Sequence, residues 1–330
     1  MTVAVGFGIA AAAALADQDL PSQSALNPKS DAAERISELW WGMLIIATIV
    51  VAVVIMLVAL AVLRPHGRLA DRMATKLGGR WLVITGGMVV PVVILVGLFW
   101  FTLSVLTATG PSHLEPRMLV EVTGRQWFWD VRYPATANAV AANEIHVPVG
   151  VPVQVQVKTA DVNHSFWVPQ LNRKIDLIPD RDNRVTFAAR EAGVFRGQCA
   201  EFCGPQHGNM AFLVVADPPR EFAAYLDRIA APAAPPRTAS AQAGARVFAA
   251  RGCGSCHRIA GTPAQGDVGP DLTHLALRRT LAAGTIPNTR GDLGGWIIDP
   301  QAIKPGNKMP AIDLTGPELQ VLLDYLQGLR

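Results

Sequence analysis

The chain has 330 residues, half of them apolar and only 17% charged, with a formal net charge of +3 and a mean hydropathy of +0.27. That balance excludes disorder as the main state and points to membrane segments joined to folded domains. No long basic run interleaves with aromatics, so nothing points to nucleic acid as a partner. Four cysteines are too few for a disulfide scaffold, and their spacing carries the information instead.

Residues 1–16, MTVAVGFGIAAAAALA, end in Ala14-Leu15-Ala16 and read as a cleaved signal peptide, although the positive leading region is missing. An outer N-terminal segment, 17–38, follows. From Leu39 to Leu63 there are 25 residues without a charge, enough at ~1.5 Å each to cross a ~30 Å hydrocarbon core. A second apolar run, from Trp81 to about Ala108, is interrupted by Gly86, Gly87 and Pro91, which membrane helices tolerate. Between the two lie Arg64, Arg68, Arg72, Lys76 and Arg80, opposed only by Asp71. The positive-inside rule places that loop in the cytoplasm, so 39–110 is a transmembrane hairpin with both ends facing outward.

Beyond Gly110 the pattern changes to alternation. Glu144 to Val149, Val151 to Val157, Arg184 to Ala188 and Phe212 to Val215 predict strands of an antiparallel β-sandwich over 111–217. A linker over 218–243 contains a short helix near 222–229 and then the proline-rich APAAPP. From 244 to 330 the spacing is helical, with Thr315 as the start signal of the last helix.

Two clusters carry chemistry. Cys199, Cys203, His207 and Met210 fall within 12 residues, and His164 in Asp161-Val162-Asn163-His164 supplies a second imidazole from another loop. Soft sulfur with imidazole selects copper or zinc, and a Cys199–Cys203 disulfide fits the same spacing. Cys253-Gly254-Ser255-Cys256-His257 is the attachment string of a c-type haem. The other histidines, His66, His113, His146 and His274, have no partners at ligand spacing and read as ordinary surface or hydrogen-bonded residues.

The string Cys-x3-Cys-x3-His-x2-Met, the upstream DVNHSFWVP and the aromatic GRQWFWDVRYP resemble subunit II of haem-copper cytochrome c oxidases along nearly the whole chain. The resemblance implies a cupredoxin-like sandwich with a dinuclear copper centre, CuA. Cys199 and Cys203 would bridge two coppers, His164 and His207 would bind one each, and Met210 and the Glu201 carbonyl would be weak outer ligands. It also implies a magnesium ion held by the Glu201 side chain at the contact with subunit I, and electrons entering at Trp127. The C-terminal region resembles class I cytochromes c, an all-α domain in which Cys253 and Cys256 attach the haem, His257 and Met309 are axial ligands, and Trp296 packs on the haem edge.

The combination implies a terminal oxidase subunit in the inner membrane of a bacterium, with both domains on the periplasmic side. It would take electrons from cytochrome c or a quinol-oxidising complex and pass them to subunit I, where oxygen becomes water and protons are pumped; subunit III is a further implied partner. A free-standing membrane carrier serving another terminal reductase is the alternative. One departure stands out: Arg80-Trp81-Leu82-Val83-Ile84-Thr85 holds no acid for proton uptake at the start of the second helix.

Overall fold

The computed structural model describes residues 21, 23–63, 79–110, 114–136 and 139–330. The signal-peptide reading of 1–16, the loop residues Arg64, Arg68, Arg72 and Lys76, and the histidines His66 and His113 lie outside the described residues.

Helix α1 spans Asp31–Leu63 and helix α2 spans Gly79–Ala108. Both are long and apolar enough to cross a membrane. Helix α1 begins eight residues before the uncharged run, because Ser30 accepts the amide of Ala33 at 3.1 Å and Asp31 and Glu34 favour the positive end of the helix. That start is fastened to the β domain. Ser30 donates to the Leu171 carbonyl, Lys29 N–H donates to Gln170 at 2.8 Å, and Arg190 pairs with Asp31 at 2.6 Å and with Glu34. In α2 a π-helical turn, Thr85–Val89, precedes Pro91, which has no N–H to give to a regular ladder.

The sandwich holds β1 (Met118–Arg125), β2 (Phe128–Arg132), β3 (Val140–Ala142), β4 (Glu144–Pro148), β5 (Val153–Thr159), β6 (His164–Trp167), β7 (Ile175–Leu177), β8 (Asn183–Phe187), β9 (Gly193–Cys199) and β10 (Ala211–Asp217). They form two five-stranded sheets, ordered β3-β2-β1-β5-β8 and β4-β10-β9-β6-β7. It is mixed rather than purely antiparallel. β1 (Met118–Arg125) runs parallel to β5 (Val153–Thr159), and β10 (Ala211–Asp217) runs parallel to β4 (Glu144–Pro148). Each parallel pair is separated in sequence by other strands, which supply the long connection that parallel neighbours require. Alternating side chains such as Val120, Val122, Val155, Val157, Phe187 and Phe212 fill the space between the sheets.

Helix α3 (Pro219–Ala230) lays Phe222, Tyr225 and Ile229 back on the sandwich. Helix α4 starts at Ala239 and runs to Ala250, so the extended part of the predicted linker is confined to 231–238. α4 crosses α7 (Gly316–Leu326) at Gly244, where a Cβ would meet the Val321 carbonyl and Tyr325 Cβ. Between them come α5 (Arg290–Ile298) and α6 (Pro300–Ile303). A second core of Phe248, Ile259, Leu293, Leu322 and Leu326 holds this helical domain together.

Candidate metal and haem sites

Strand β9 (Gly193–Cys199) ends on Cys199 and β6 (His164–Trp167) begins on His164. Phe166 pairs with Cys199 in the ladder, so the two strand ends open at one edge. The loop after β9 brings back Cys203, a 3-10 turn at His207–Asn209 and then Met210. Cys199 Sγ lies 3.8 Å from Cys203 Sγ. That separation is far beyond the ~2.05 Å of a disulfide, and both cysteines are free.

The donors divide into two lobes. Cys199 Sγ has His164 Nδ1 at 3.8 Å and the Glu201 carbonyl at 3.2 Å. Cys203 Sγ has His207 Nδ1 at 3.7 Å and Met210 Sδ at 3.8 Å. Sulfur–nitrogen separations of this size suit an ion with bonds of ~2.3 Å to sulfur and ~2.0 Å to nitrogen. The donor set is soft throughout, and one carbonyl is its sole oxygen. His164 and the two sulfurs lie within 4.8 Å of one another, while His207 and Met210 close on Cys203, a soft sulfur and imidazole set that fits copper.

The electrostatics favour one thiolate in the sulfur pair. The neighbouring Cys203 thiol pulls the Cys199 thiol down to about 3, and Cys203 is itself pushed up by that charge. Burial works against ionisation of His164, but Cys199 and Asp161 outweigh it and raise its pKa. Asp161 Oδ1 sits 2.8 Å from His164 Nε2, and Asp161 Oδ2 accepts the Gln126 amide at 2.7 Å. This carboxylate fixes the ring and leaves Nδ1 facing the sulfurs. Sequence reasoning missed Asp161, although it stands three residues before His164 in the same string.

Glu201 turns its carboxylate outward to Lys174, 3.4 Å away. Among the described residues it joins no second carboxylate in a metal-sized group. Trp127 is 9% exposed, and its Nε1 donates to the Cys203 carbonyl at 2.9 Å.

A cavity of about 390 Å³ opens in the helical domain, lined by Cys253, Cys256, His257, Trp296 and Met309 among largely apolar neighbours. His257 Nδ1 donates to the Pro270 carbonyl at 2.8 Å, which leaves Nε2 as the free lone pair. Burial lowers the pKa of His257 and keeps it neutral, as ligation requires. Met309 N–H donates to Asn307 Oδ1 at 2.8 Å, and Gln301 Nε2 donates to the Met309 carbonyl at 3.1 Å, so the thioether's backbone is held. Two free thiols, a fixed imidazole and a thioether around one apolar cavity fit a covalent haem. Gln126, Trp127 and Phe128 of the sandwich form part of the same wall, so the two sites adjoin. His146 and His274 take part in neither: one pairs with Asp217 at 2.6 Å and the other contacts the Ala231 carbonyl at 3.0 Å.

Two apolar helices, an outer sandwich with a cupredoxin-like layout and a C-terminal cytochrome c domain define a membrane protein of the electron-transfer class. Residues 136–217 match the family described as "Cytochrome C oxidase subunit II, periplasmic domain", and residues 241–330 match "Cytochrome c". Cytochrome c oxidase subunit 2 of Alkalihalophilus pseudofirmus is 32% identical over 93% of this chain and 91% of its own. That of Bacillus subtilis is 31% identical over 77% and 76%. The periplasmic domain of subunit II of the Bradyrhizobium japonicum oxidase is 33% identical over 34% of this chain and 94% of its own, with a TM-score of 0.34. The chain belongs to the cytochrome c oxidase subunit 2 family and carries a fused cytochrome c domain. It is thus part of a haem-copper oxidase, and its domains imply copper and haem c as cofactors.

Proposed function

We propose that this chain, anchored in the inner membrane of a bacterium with its domains on the periplasmic side, takes electrons from an outside donor and delivers them to subunit I. The observation that carries this reading is the adjacency of the two sites: Trp127 contributes to the wall of the haem cavity and hydrogen-bonds to the loop that holds Cys203.

Cys253 and Cys256 would hold the haem, with His257 and Met309 as axial ligands. Cys199, Cys203, His164, His207, Met210 and the Glu201 carbonyl would hold a dinuclear copper centre. When bound, the two groups supply one-electron transfer. The chain's own residues orient and shield them. Asp161 sets the His164 ring, Pro270 sets the His257 ring, and burial of both cysteines excludes water from the sulfur pair. Trp127, enclosed by the cytochrome domain, serves the path inside this chain rather than a docking face for a separate carrier. Glu201 offers a single carboxylate, so a magnesium ion there would need further ligands from subunit I. Oxygen reduction and proton pumping belong to subunit I, and subunit III completes the expected assembly. The donor is a cytochrome c or a quinol-oxidising complex.

The test is electron paramagnetic resonance with metal analysis on the chain carrying Cys253→Ala and Cys256→Ala, which removes the haem signal. Two coppers per chain sharing one unpaired electron are expected. One copper, a zinc or no metal overturns the assignment, and failure to copurify with a many-span haem subunit would instead favour a free-standing carrier.

A further inference from the structure

Lys304 follows helix α6 and is 2% exposed. Its Nζ donates to the Trp127 carbonyl at 2.8 Å and to the Ala282 carbonyl at 3.0 Å. No carboxylate pairs with it among the described residues. A buried ammonium with neutral partners is costly, and an apolar side chain would fill the same space without that cost. Burial brings its pKa down to about 7. Its backbone is held in turn, since Asn307 Nδ2 donates to the Lys304 carbonyl at 2.7 Å.

The two acceptors are not arbitrary. Trp127 belongs to the copper domain, and its indole N–H reaches the Cys203 carbonyl. Ala282 belongs to a tight turn whose next residue, Ala283, accepts the amide of Ala211 at 2.9 Å, beside Met210. Ala282 and Ala283 sit at φ of 51° and 58°, a conformation that alanine rarely adopts. Lys304 also lines the haem cavity. One charged group therefore gathers, at the cavity wall, both chain segments that lead to the copper loop.

We propose that Lys304 is a positioning residue for haem-to-copper electron transfer, its buried ammonium pinning the Trp127 segment and the 282–283 turn against the haem cavity. The inference rests on the reading that electrons pass between the two sites of this chain. It adds a charged residue that sequence reasoning did not single out.

The experiment uses the full chain in detergent, loaded with haem and copper, at about pH 6, below the Lys304 value of about 7, so that the ammonium is charged. The haem is reduced by a light pulse, and its reoxidation is followed together with copper reduction. Lys304→Met is expected to slow the transfer about tenfold or more, the scale of a small misplacement at a reacting pair. The haem midpoint potential should fall as well, because a positive charge at the cavity favours the reduced haem; a spacer role alone would leave it in place. Lys304→Arg, which keeps charge and donors, should hold the potential near that of the parent chain. Lys304→Gln is the second uncharged variant if Lys304→Met does not load haem, and it too should lower the potential.

An unchanged rate, or a slowed rate with an unchanged potential, in the uncharged variants overturns the charged pin while leaving the functional reading intact. If the unsubstituted chain shows no haem-to-copper transfer, the reading itself falls, and the pin with it.

Discussion

At Gly124 one methyl group decides whether His164 can reach the sulfur pair. A Cβ there would lie 2.9 Å from Leu177 Cδ2 and 3.0 Å from His164 Cδ2, and Leu177 is fully buried. Gly124→Ala should therefore push the imidazole off its position and weaken copper binding 10- to 100-fold, as loss of a ligand-orienting contact does. Titration with copper, followed by absorbance, checks this; haem content should not change. Gly269 plays the same part for His257, with a Cβ that would fall 2.5 Å from Cε1. Cys199, Cys203, His207 and Met210 were legible as candidate donors because they stand within 12 residues, whereas His164 comes from another loop. These glycines were not, since the contact that excludes a side chain is made across the fold. Lys304 was invisible for the same reason: its acceptor lies 177 positions away.

Glu318 yields a pH prediction at the same scale. The Thr315 amide, then Arg251 and the Thr315 hydroxyl, hold its carboxyl down at about 2 against an ordinary 4.5. A carboxyl lowered on folding adds stability that is complete above its unfolded value and disappears as the pH falls through its folded value. The cytochrome domain should lose this contribution on acidification from about 4.5 to about 2. Glu318→Gln should flatten that part of the profile of melting temperature against pH.

At the scale of elements, helix α3 is the clearest case of a segment whose role the sequence understated. Its apolar residues at helical spacing predicted a helix within a spacer, and the structure gives that helix a packing surface. Tyr225 stacks on His146 with ring centroids 3.6 Å apart and is buried against the sandwich. Tyr225→Ala should cost about 3 kcal/mol, the usual scale for truncating a buried aromatic ring; denaturant unfolding would measure it. The strands were legible through their alternation, but their partners were not. Period 2 tells which face is buried and says nothing of whether a neighbour runs parallel, so the β1–β5 and β4–β10 pairs emerged only in the fold.

For the whole molecule the sequence revealed two outer domains and left their relation open. The structure closes that relation with buried bonds. Glu144 accepts the Arg279 amide at 2.5 Å, Gln206 donates to the Pro305 carbonyl at 2.5 Å, and Lys304 reaches Trp127. Bonds of this kind are screened far less by salt than surface ion pairs are. The two domains should therefore stay docked from about 0.05 to about 0.5 M salt, a range over which the screening length falls about threefold. An unchanged radius of gyration by small-angle scattering is the expected result, and expansion would show a tethered, swinging domain instead.

The fastening of α1 to the sandwich through Ser30, Lys29 and Arg190 has a consequence for life in a bilayer. At the other helix, Arg173 Nε donates to the Thr109 carbonyl at 3.4 Å, so the hairpin is gripped at both outer ends. A span longer or shorter than the local hydrocarbon thickness adjusts by tilting. Because Lys29, Ser30, Arg190 and Arg173 tie both outer helix ends to the sandwich, a change of helix tilt should be passed on to it, so that the orientation of the outer domain should follow the local lipid thickness.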